Sequence, residues 1–208
     1  MILLATRSSG KLRELLPIFT SAGLEAIDLR EAGIAEDPAE ESIEAFETFE
    51  KNALAKARHF ARVSGMPTVA DDSGLEVFAL AGQPGVRSKR YSGRIDLRGL
   101  ALDAANNARL LAELGDEPDR RARYVCAAAF TSAGGLAIVH RGETTGRILA
   151  SPRGSEGFGY DPYFESDELG RTFGELSVTE KEAISHRGRA FRALITALGA
   201  VDPRARGR

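Results

Sequence analysis

Asp71 and Asp72 stand side by side in the run Thr68-Val69-Ala70-Asp71-Asp72-Ser73-Gly74-Leu75. A short β-rich stretch leads into two carboxylates, a hydroxyl and a glycine, and the composition predicts a strand that ends there in a turn. Strand ends of this kind are where α/β enzymes place their chemistry. Two neighbouring acids repel each other unless a cation or a shared proton relieves them, so the pair suits a divalent metal. A solvated turn accounts for the same residues. A second segment, Thr6-Arg7-Ser8-Ser9-Gly10-Lys11, falls between a predicted strand and a predicted helix. Hydroxyls, backbone N–H groups and two cations at a helix start form an anion cradle. The P-loop spacing GxxxxGK[ST] is absent, and a helix cap with a surface lysine is the alternative.

A third segment, Gly157-Phe158-Gly159-Tyr160-Asp161-Pro162, joins glycines, two aromatics and an acid. Aromatics flanked by glycines can stack on a flat ligand such as a base, and the acid can orient a polar edge. Packing of a wide loop is the bland account. Lys56, Lys89-Arg90, Lys181 and His186-Arg187 add positive charge, although surface charge or a solvated helix end explains each singly. Together the segments supply groups for phosphates, for a metal and for a base. That is the inventory for a nucleoside triphosphate.

The elements that must position these groups follow from periodicity. Ile2–Ala5 reads as a strand and Lys11–Ala22 as a helix with Leu12, Leu15, Leu16 and Phe19 inward. Leu24–Asp28 reads as a second strand, and Glu31–Glu44 as an acidic irregular segment containing Pro38. A long helix is predicted from Ala45 to Ser64, with Phe46, Phe49, Ala53, Ala57 and Phe60 on one face. A third helix is predicted over Asp96–Leu114. Arg123–Ser132 and Leu136–Ile148 flank Ala133-Gly134-Gly135, a hairpin signal. The last helical part opens at Thr179-Glu180-Lys181-Glu182, which has the form of a capping box, and its pattern breaks at Ser185-His186-Arg187-Gly188. Helices mixed with strands, one pair of them a hairpin, predict an α/β fold with a mixed sheet.

The chain has 208 residues, 43% of them hydrophobic, which fits a single domain over 1–200 followed by a frayed tail over 201–208. A net charge of −2 gives no reason to expect a nucleic acid polymer as partner. No run reaches the roughly 18 apolar residues of a membrane span. One cysteine, Cys126, excludes an internal disulfide framework and suits a cytoplasmic location.

These segments, in this order, resemble one family, the inosine triphosphate pyrophosphatases, also described as XTP/dITP diphosphatases. The resemblance runs from Ile2 to about Leu194 and rests on Ala5–Lys11, Thr48–Lys56, Ala70–Leu75, Pro84–Gly93, Gly157–Pro162 and Glu180–Gly188. It implies magnesium-dependent hydrolysis of non-standard purine nucleoside triphosphates (ITP, dITP, XTP) to the monophosphate and pyrophosphate, which removes them from the nucleotide pool. It also implies an elongated α/β fold with a long mixed central sheet, two lobes with the active site in a cleft between them, and a homodimer.

By residue, the resemblance makes Asp72 a metal ligand and the general base, with Asp71 beside it as the other catalytic candidate, acting on water through the metal shell, and Ser73 touching substrate. It makes Thr6, Arg7, Ser8, Ser9, Gly10 and Lys11 the phosphate loop, and turns Lys56 towards the phosphates. Phe158, Gly159, Tyr160 and Asp161 hold the base, while Lys181, His186 and Arg187 are C-terminal substrate contacts. Glu44, with Glu41 behind it, completes the metal site. The chain departs from the family pattern at Ser8, where Asn is frequent, and at Lys51, where an acid is common, so that Glu47 or Glu50 would have to replace that acid. Two other readings compete: a pyrophosphatase for pyrimidine or modified nucleotides, and a nucleotide-binding module without turnover. The Asp71-Asp72 pair argues against the second, because a pure polyanion binder gains nothing from bare carboxylates.

Overall fold

The structure is a computed structural model and describes residues 1–201, except for the side chains of Glu41 and Val201. Apart from the backbone of Val201, the expected tail over 201–208 lies outside the described residues. Six strands form one sheet: β1 (Ile2–Leu4), β2 (Ala26–Asp28), β3 (Thr68–Val77), β4 (Arg121–Thr131), β5 (Ala137–Ile148) and β6 (Phe164–Ser166), in the order β2-β1-β3-β4-β5-β6. β1 runs parallel to both β2 and β3, while β5 and β6 are antiparallel, so the sheet is mixed as expected. The helices are α1 (Ser9–Ser21), α2 (Phe49–Ser64), α3 (Gly99–Leu114), α4 (Val178–Ile184) and α5 (His186–Val201).

The chain folds as two compact units, neither of them a continuous segment. The first takes Met1–Asp72, Cys126–Gly142 and the chain from Arg187 onward. Its core joins Leu4 and Val69 of the sheet and Cys126, Ala128 and Phe130 of β4 to Leu15, Ile18 and Phe19 of α1 and Phe191, Leu194 and Leu198 of α5. The second takes Ser73–Val125 and Glu143–His186, and packs Leu75, Val77, Tyr124 and Ile148 with Leu110, Leu114, Tyr160, Phe164, Phe173 and Leu176.

Several boundaries differ from the sequence expectation, each for a physical reason. The strand carrying the Asp pair does not end in a turn there. β3 continues to Val77 because Leu75 and Val77 bury completely, and that packing outweighs the poor strand propensity of Asp, Ser and Gly. α2 begins at Phe49 rather than Ala45. Thr48 caps it by accepting the Lys51 N–H, and Phe46, left outside the helix, is 46% exposed. In α1, Leu16 faces outward and the inner face holds Ile18 and the carboxylate of Glu14. The capping box of α4 is Ser177 with Glu180, two residues before the one predicted. The break that the sequence suggested is real: Ser185 is extended (φ −71°, ψ 152°) and separates α4 from α5. The hairpin of β4 and β5 forms where predicted, but residues 124–131 of β4 are buried almost without interruption, so both of its faces are covered.

Candidate active site

In the first unit, the adjacent carboxylates of β3 acquire different surroundings, since neighbouring residues on a strand face opposite sides. Asp71 is wholly buried. Its Oδ2 lies 3.0 Å from Lys11 Nζ and 3.3 Å from Arg187 Nε, with Cys126 Sγ at 3.8 Å. Burial by itself would raise this acid, but Lys11, Arg187 and Lys56 outweigh it and hold the carboxyl well below its usual range. Arg187 is also buried and donates to Glu14 of α1, so its guanidinium is shared between two acids.

Asp72 goes the other way. Burial is the main cause that pushes its carboxyl up to about 6; the Glu44 charge adds to this, and Lys11, Lys56 and a hydrogen bond from Asn52 oppose it. Asn52 Nδ2 donates to Asp72 Oδ2 at 2.9 Å and to the Phe46 carbonyl at 3.0 Å, while Asn52 Oδ1 accepts the Phe46 N–H at 2.9 Å. This buried amide therefore fixes the Asp72 side chain and the chain entering α2 together. Lys56 pairs with Glu44, and although burial works against its charge, Glu44, Asp71 and Asp72 raise its pKa.

Among the described residues no three His, Cys, Asp or Glu side chains converge on a point. The donor set nonetheless fits a magnesium ion, which takes one or two carboxylates and completes its shell with water and phosphate oxygens. Asp72 is a buried carboxylate whose charge is disfavoured, with the charge of Glu44 adding to this, and a divalent cation would relieve it. The side chain of Glu41 lies outside the described residues. Glu50, a possible substitute for the acid missing at Lys51, is paired with Arg141 at 2.8 Å.

On the expected phosphate loop, Thr6 Oγ1 accepts the Ser8 N–H and Ser8 Oγ accepts the Lys11 N–H, capping α1. Ser8 thus fills the helix-capping role an Asn would fill. Ser9 and Gly10 form the first turn of α1. Arg7 points elsewhere, to the carbonyls of Ile34 and Ala35 and to Glu40.

The second unit builds its own constellation on the Gly157–Pro162 loop. Asp161 Oδ2 accepts from Lys181 Nζ at 2.6 Å and from the Phe158 N–H at 2.7 Å, and Tyr124 O–H reaches Oδ1 at 3.3 Å. Lys181 Nζ also lies 5.0 Å from the centre of the Phe158 ring and 5.3 Å from that of Phe173. Gly157 has φ +77°, and a Cβ there would overlap the Asp161 carboxylate, so this position requires glycine. Tyr160 is a core residue whose O–H donates to the Ser88 carbonyl at 2.8 Å, while Phe158 is half-buried. Ser73 follows Asp72 on β3 and begins the residues of this unit.

His186 and Arg187, expected to act as one basic pair, belong to different units. The His186 ring stacks on Tyr124 at 4.6 Å and 8°, whereas Arg187 joins the Asp71 cluster. Lys181 is not a surface lysine, being 4% exposed.

Three residues in these constellations went unassigned in the sequence. Asn52 carried no cue beyond its place at the start of a helix. Asp103 and Asn107, one turn apart on α3, grip a single residue of the loop: Asp103 Oδ2 accepts the Gly159 N–H and Asn107 Nδ2 donates to the Gly159 carbonyl, both at 2.9 Å. Their i, i+4 spacing was the only available signal, and it is common on any helix.

A mixed six-stranded sheet bearing a buried carboxylate–lysine cluster and, separately, an aspartate–lysine–phenylalanine cluster defines the class of α/β protein. Within that class the Ham1 family model matches residues 2–197, and the chain belongs to that family. It is 50% identical over 199 residues to a dITP/XTP pyrophosphatase of Frankia alni, covering 95% of this chain and 96% of the relative. Among solved structures, the Ham1 protein of Staphylococcus aureus superposes with a TM-score of 0.81 at 36% identity, covering 97% of this chain and 99% of that one. A nucleoside-triphosphatase / dITP/XTP pyrophosphatase of Mycobacterium abscessus superposes with a TM-score of 0.71 at 43% identity, covering 95% and 98%.

Two predictions follow from this geometry. The fold favours the protonated form of Asp72, so folding takes up a proton between the ordinary 3.8 and about 6. The wild type therefore loses stability as pH rises through that window, and Asp72→Asn does not. In metal-free buffer at pH 7.5 the variant should be more stable by on the order of 1–3 kcal/mol, with the difference gone at pH 4. Thermal unfolding across pH 4–8 measures this, and a difference independent of pH counts against it. Separately, Lys181→Ala leaves the buried Asp161 carboxylate without its cation and should destabilise by about 3–5 kcal/mol. Urea denaturation tests this, and a loss below about 1 kcal/mol would mean the pair is effectively solvated.

Proposed function

We propose that the protein hydrolyses non-standard purine nucleoside triphosphates, ITP, dITP and XTP, to the nucleoside monophosphate and pyrophosphate. The observation that carries the chemistry is the different setting of two adjacent buried carboxylates: Asp71 is paired with Lys11 at 3.0 Å and Arg187 at 3.3 Å, and Asp72 is oriented by the Asn52 amide at 2.9 Å. Burial raises the Asp72 carboxyl above its ordinary range, the direction that suits a proton acceptor. The names of the relatives supply the substrate class.

In this reading water attacks the α-phosphorus, a new P–O bond forms, the bond to the β-phosphate bridging oxygen breaks, and pyrophosphate leaves. Asp72, oriented by Asn52, receives the proton of the water. Asp71 is already neutralised by two cations, so it fixes Lys11 rather than accepting a proton. Lys11 and Lys56 stabilise charge on the phosphates, with the first turn of α1 from Ser9 as their cradle. Magnesium held by Asp72 and Glu44 would neutralise phosphate oxygens and the leaving group.

In the second unit, Phe158 supplies a face for the purine. The ammonium of Lys181 and backbone N–H groups of the loop supply donors for oxo groups. Such donors suit the 6-oxo group of hypoxanthine and the 2- and 6-oxo groups of xanthine. Facing the 2-amino group of guanine, a donor would meet another donor with no room for solvent, whereas the smaller C2–H of hypoxanthine leaves space for a water to pair with it. A homodimer and a cytoplasmic location complete the proposal; no helix among the described residues is long and apolar enough to cross a membrane.

Asp72→Asn should lower Mg²⁺-dependent pyrophosphate release by roughly 10²–10⁴-fold with circular dichroism unchanged. Near-normal turnover would remove Asp72 from the mechanism. A panel of ITP, dITP, XTP, GTP and ATP, read as kcat/KM for pyrophosphate release, tests the substrate class. The first three should exceed GTP by roughly 10²-fold or more. Equal values for GTP and ITP would leave the hydrolytic chemistry without the proposed base selection, and preference for a pyrimidine triphosphate would favour the rival reading.

A further inference from the structure

Arg7 sits on the β1–α1 loop, where an arginine would ordinarily be assigned to phosphate. Its guanidinium is already committed to the first unit's acidic segment. NH1 donates to the Ile34 carbonyl and NH2 to the Ala35 carbonyl, each at 2.8 Å. NH2 and Nε also form a two-pronged contact with the Glu40 carboxylate at 2.6 and 3.1 Å. Four hydrogen bonds to one planar fork leave little for a ligand, and a lysine cannot reproduce that geometry.

The groups that Arg7 holds belong to the segment leading to Glu44. Glu40 accepts the Asp37 N–H and closes a capping box on the short 3₁₀ helix Pro38–Ser42. Asp37 accepts the Ala39 N–H, and the Ile43 N–H bonds back to the Glu40 carbonyl. Glu44 follows immediately and is tied to Lys56 of α2. The segment is thus anchored at its start by Arg7 and at its end by Lys56.

A five-residue 3₁₀ helix has little stability of its own. Glu36, Asp37, Glu40 and Glu44 fall within nine residues, and like charges repel; the Arg7 guanidinium offsets this, its charge favoured by Glu40 and Glu36. We propose that Arg7 is a positioning residue for the metal site: it binds the acidic segment to the phosphate loop and so presents Glu44 beside Asp72, and it is not a phosphate ligand. This rests on the reading of Asp72 and Glu44 as the cation's carboxylates.

The test separates metal binding from nucleotide binding. Mn²⁺ affinity is measured by calorimetry on nucleotide-free wild type, Arg7→Gln, Arg7→Lys, Glu44→Gln and Asp72→Asn proteins. Both Arg7 variants should lose roughly tenfold or more in Mn²⁺ affinity, in the range seen when a ligand's support is removed. Their KM for ITP at saturating Mg²⁺ should change by less than about twofold, since uniform substrate binding is untouched. In metal-free protein, a glutamate-specific protease should cut after Glu36, Glu40 or Glu44 faster in Arg7→Gln than in wild type. A raised KM with unchanged Mn²⁺ affinity would make Arg7 a phosphate ligand and overturn the proposal. Normal Mn²⁺ binding in the Arg7 variants, with binding lost in Asp72→Asn, would overturn the positioning role and leave the metal site standing. Normal binding in Asp72→Asn and Glu44→Gln as well would overturn the metal site, and this inference with it.

Discussion

Burying ionised groups inside a sheet is the constraint around which the first unit is organised. Asp71 sits in the middle of β3 with no exposed side-chain surface, and an isolated carboxylate there would be far too costly to keep charged. Lys11 from α1 and Arg187 from the start of α5 meet it, and Glu14 from α1 meets Arg187. The same contacts dock both helices on the strand, so the apolar core of Leu15, Phe19, Phe191 and Leu194 and the charge cluster specify one arrangement. The neighbouring Asp72 gets the opposite treatment. It has an amide donor and a nearby glutamate, and its charge stays unfavourable. A carboxylate held in that state at the expense of stability is what a cation site or a proton acceptor needs.

The second unit concentrates its polar interactions on Asp161. One carboxylate orders the turn through the Phe158 N–H, fixes the buried Lys181, and touches Tyr124, whose ring stacks on His186. Asp103 and Asn107 then secure the peptide groups of Gly159 from the α3 side. The loop has only turn-type backbone bonds, such as Asp161 N–H to the Phe158 carbonyl, and side chains from three other elements hold it as well. In the proposed function this is how an irregular segment would be held firmly enough to discriminate between bases that differ by one substituent.

What was legible in the sequence was the order of the elements other than the short strand β6, the hairpin and the helix break at Ser185. Periodicity and glycine placement report these directly. What was not legible came from tertiary contacts. Asp-Asp-Ser-Gly looks like a turn by local preference and becomes mid-strand because Leu75 and Val77 are buried beyond it. Phe46 matched a helical face but lies before the Thr48 cap. His186 and Arg187 are adjacent in sequence, yet the first is an aromatic stacking partner and the second a buried counter-ion. Lys181 was expected as a substrate contact, with a solvated helix end as the alternative, and its burial beside Asp161 was not foreseen. In each case residue type was readable and partner was not, because partners are set by elements distant in the chain.

The distribution of arginine and lysine in the first unit follows from what each can do. Arg7 and Arg187 spend planar guanidinium groups on fixed sets of carbonyls and carboxylates, and such multipoint contacts are part of the framework. Lys11 and Lys56 are single ammonium groups on flexible stems, paired with Asp71 and with Glu44. A one-point ion pair can be exchanged without dismantling the fold. In the proposed reaction an arriving triphosphate competes for Lys56 while a divalent cation competes for Glu44, so both charges of that pair find new partners together. Neither would be left uncompensated in a buried place, and in the free protein Glu44 favours the charged form of Lys56.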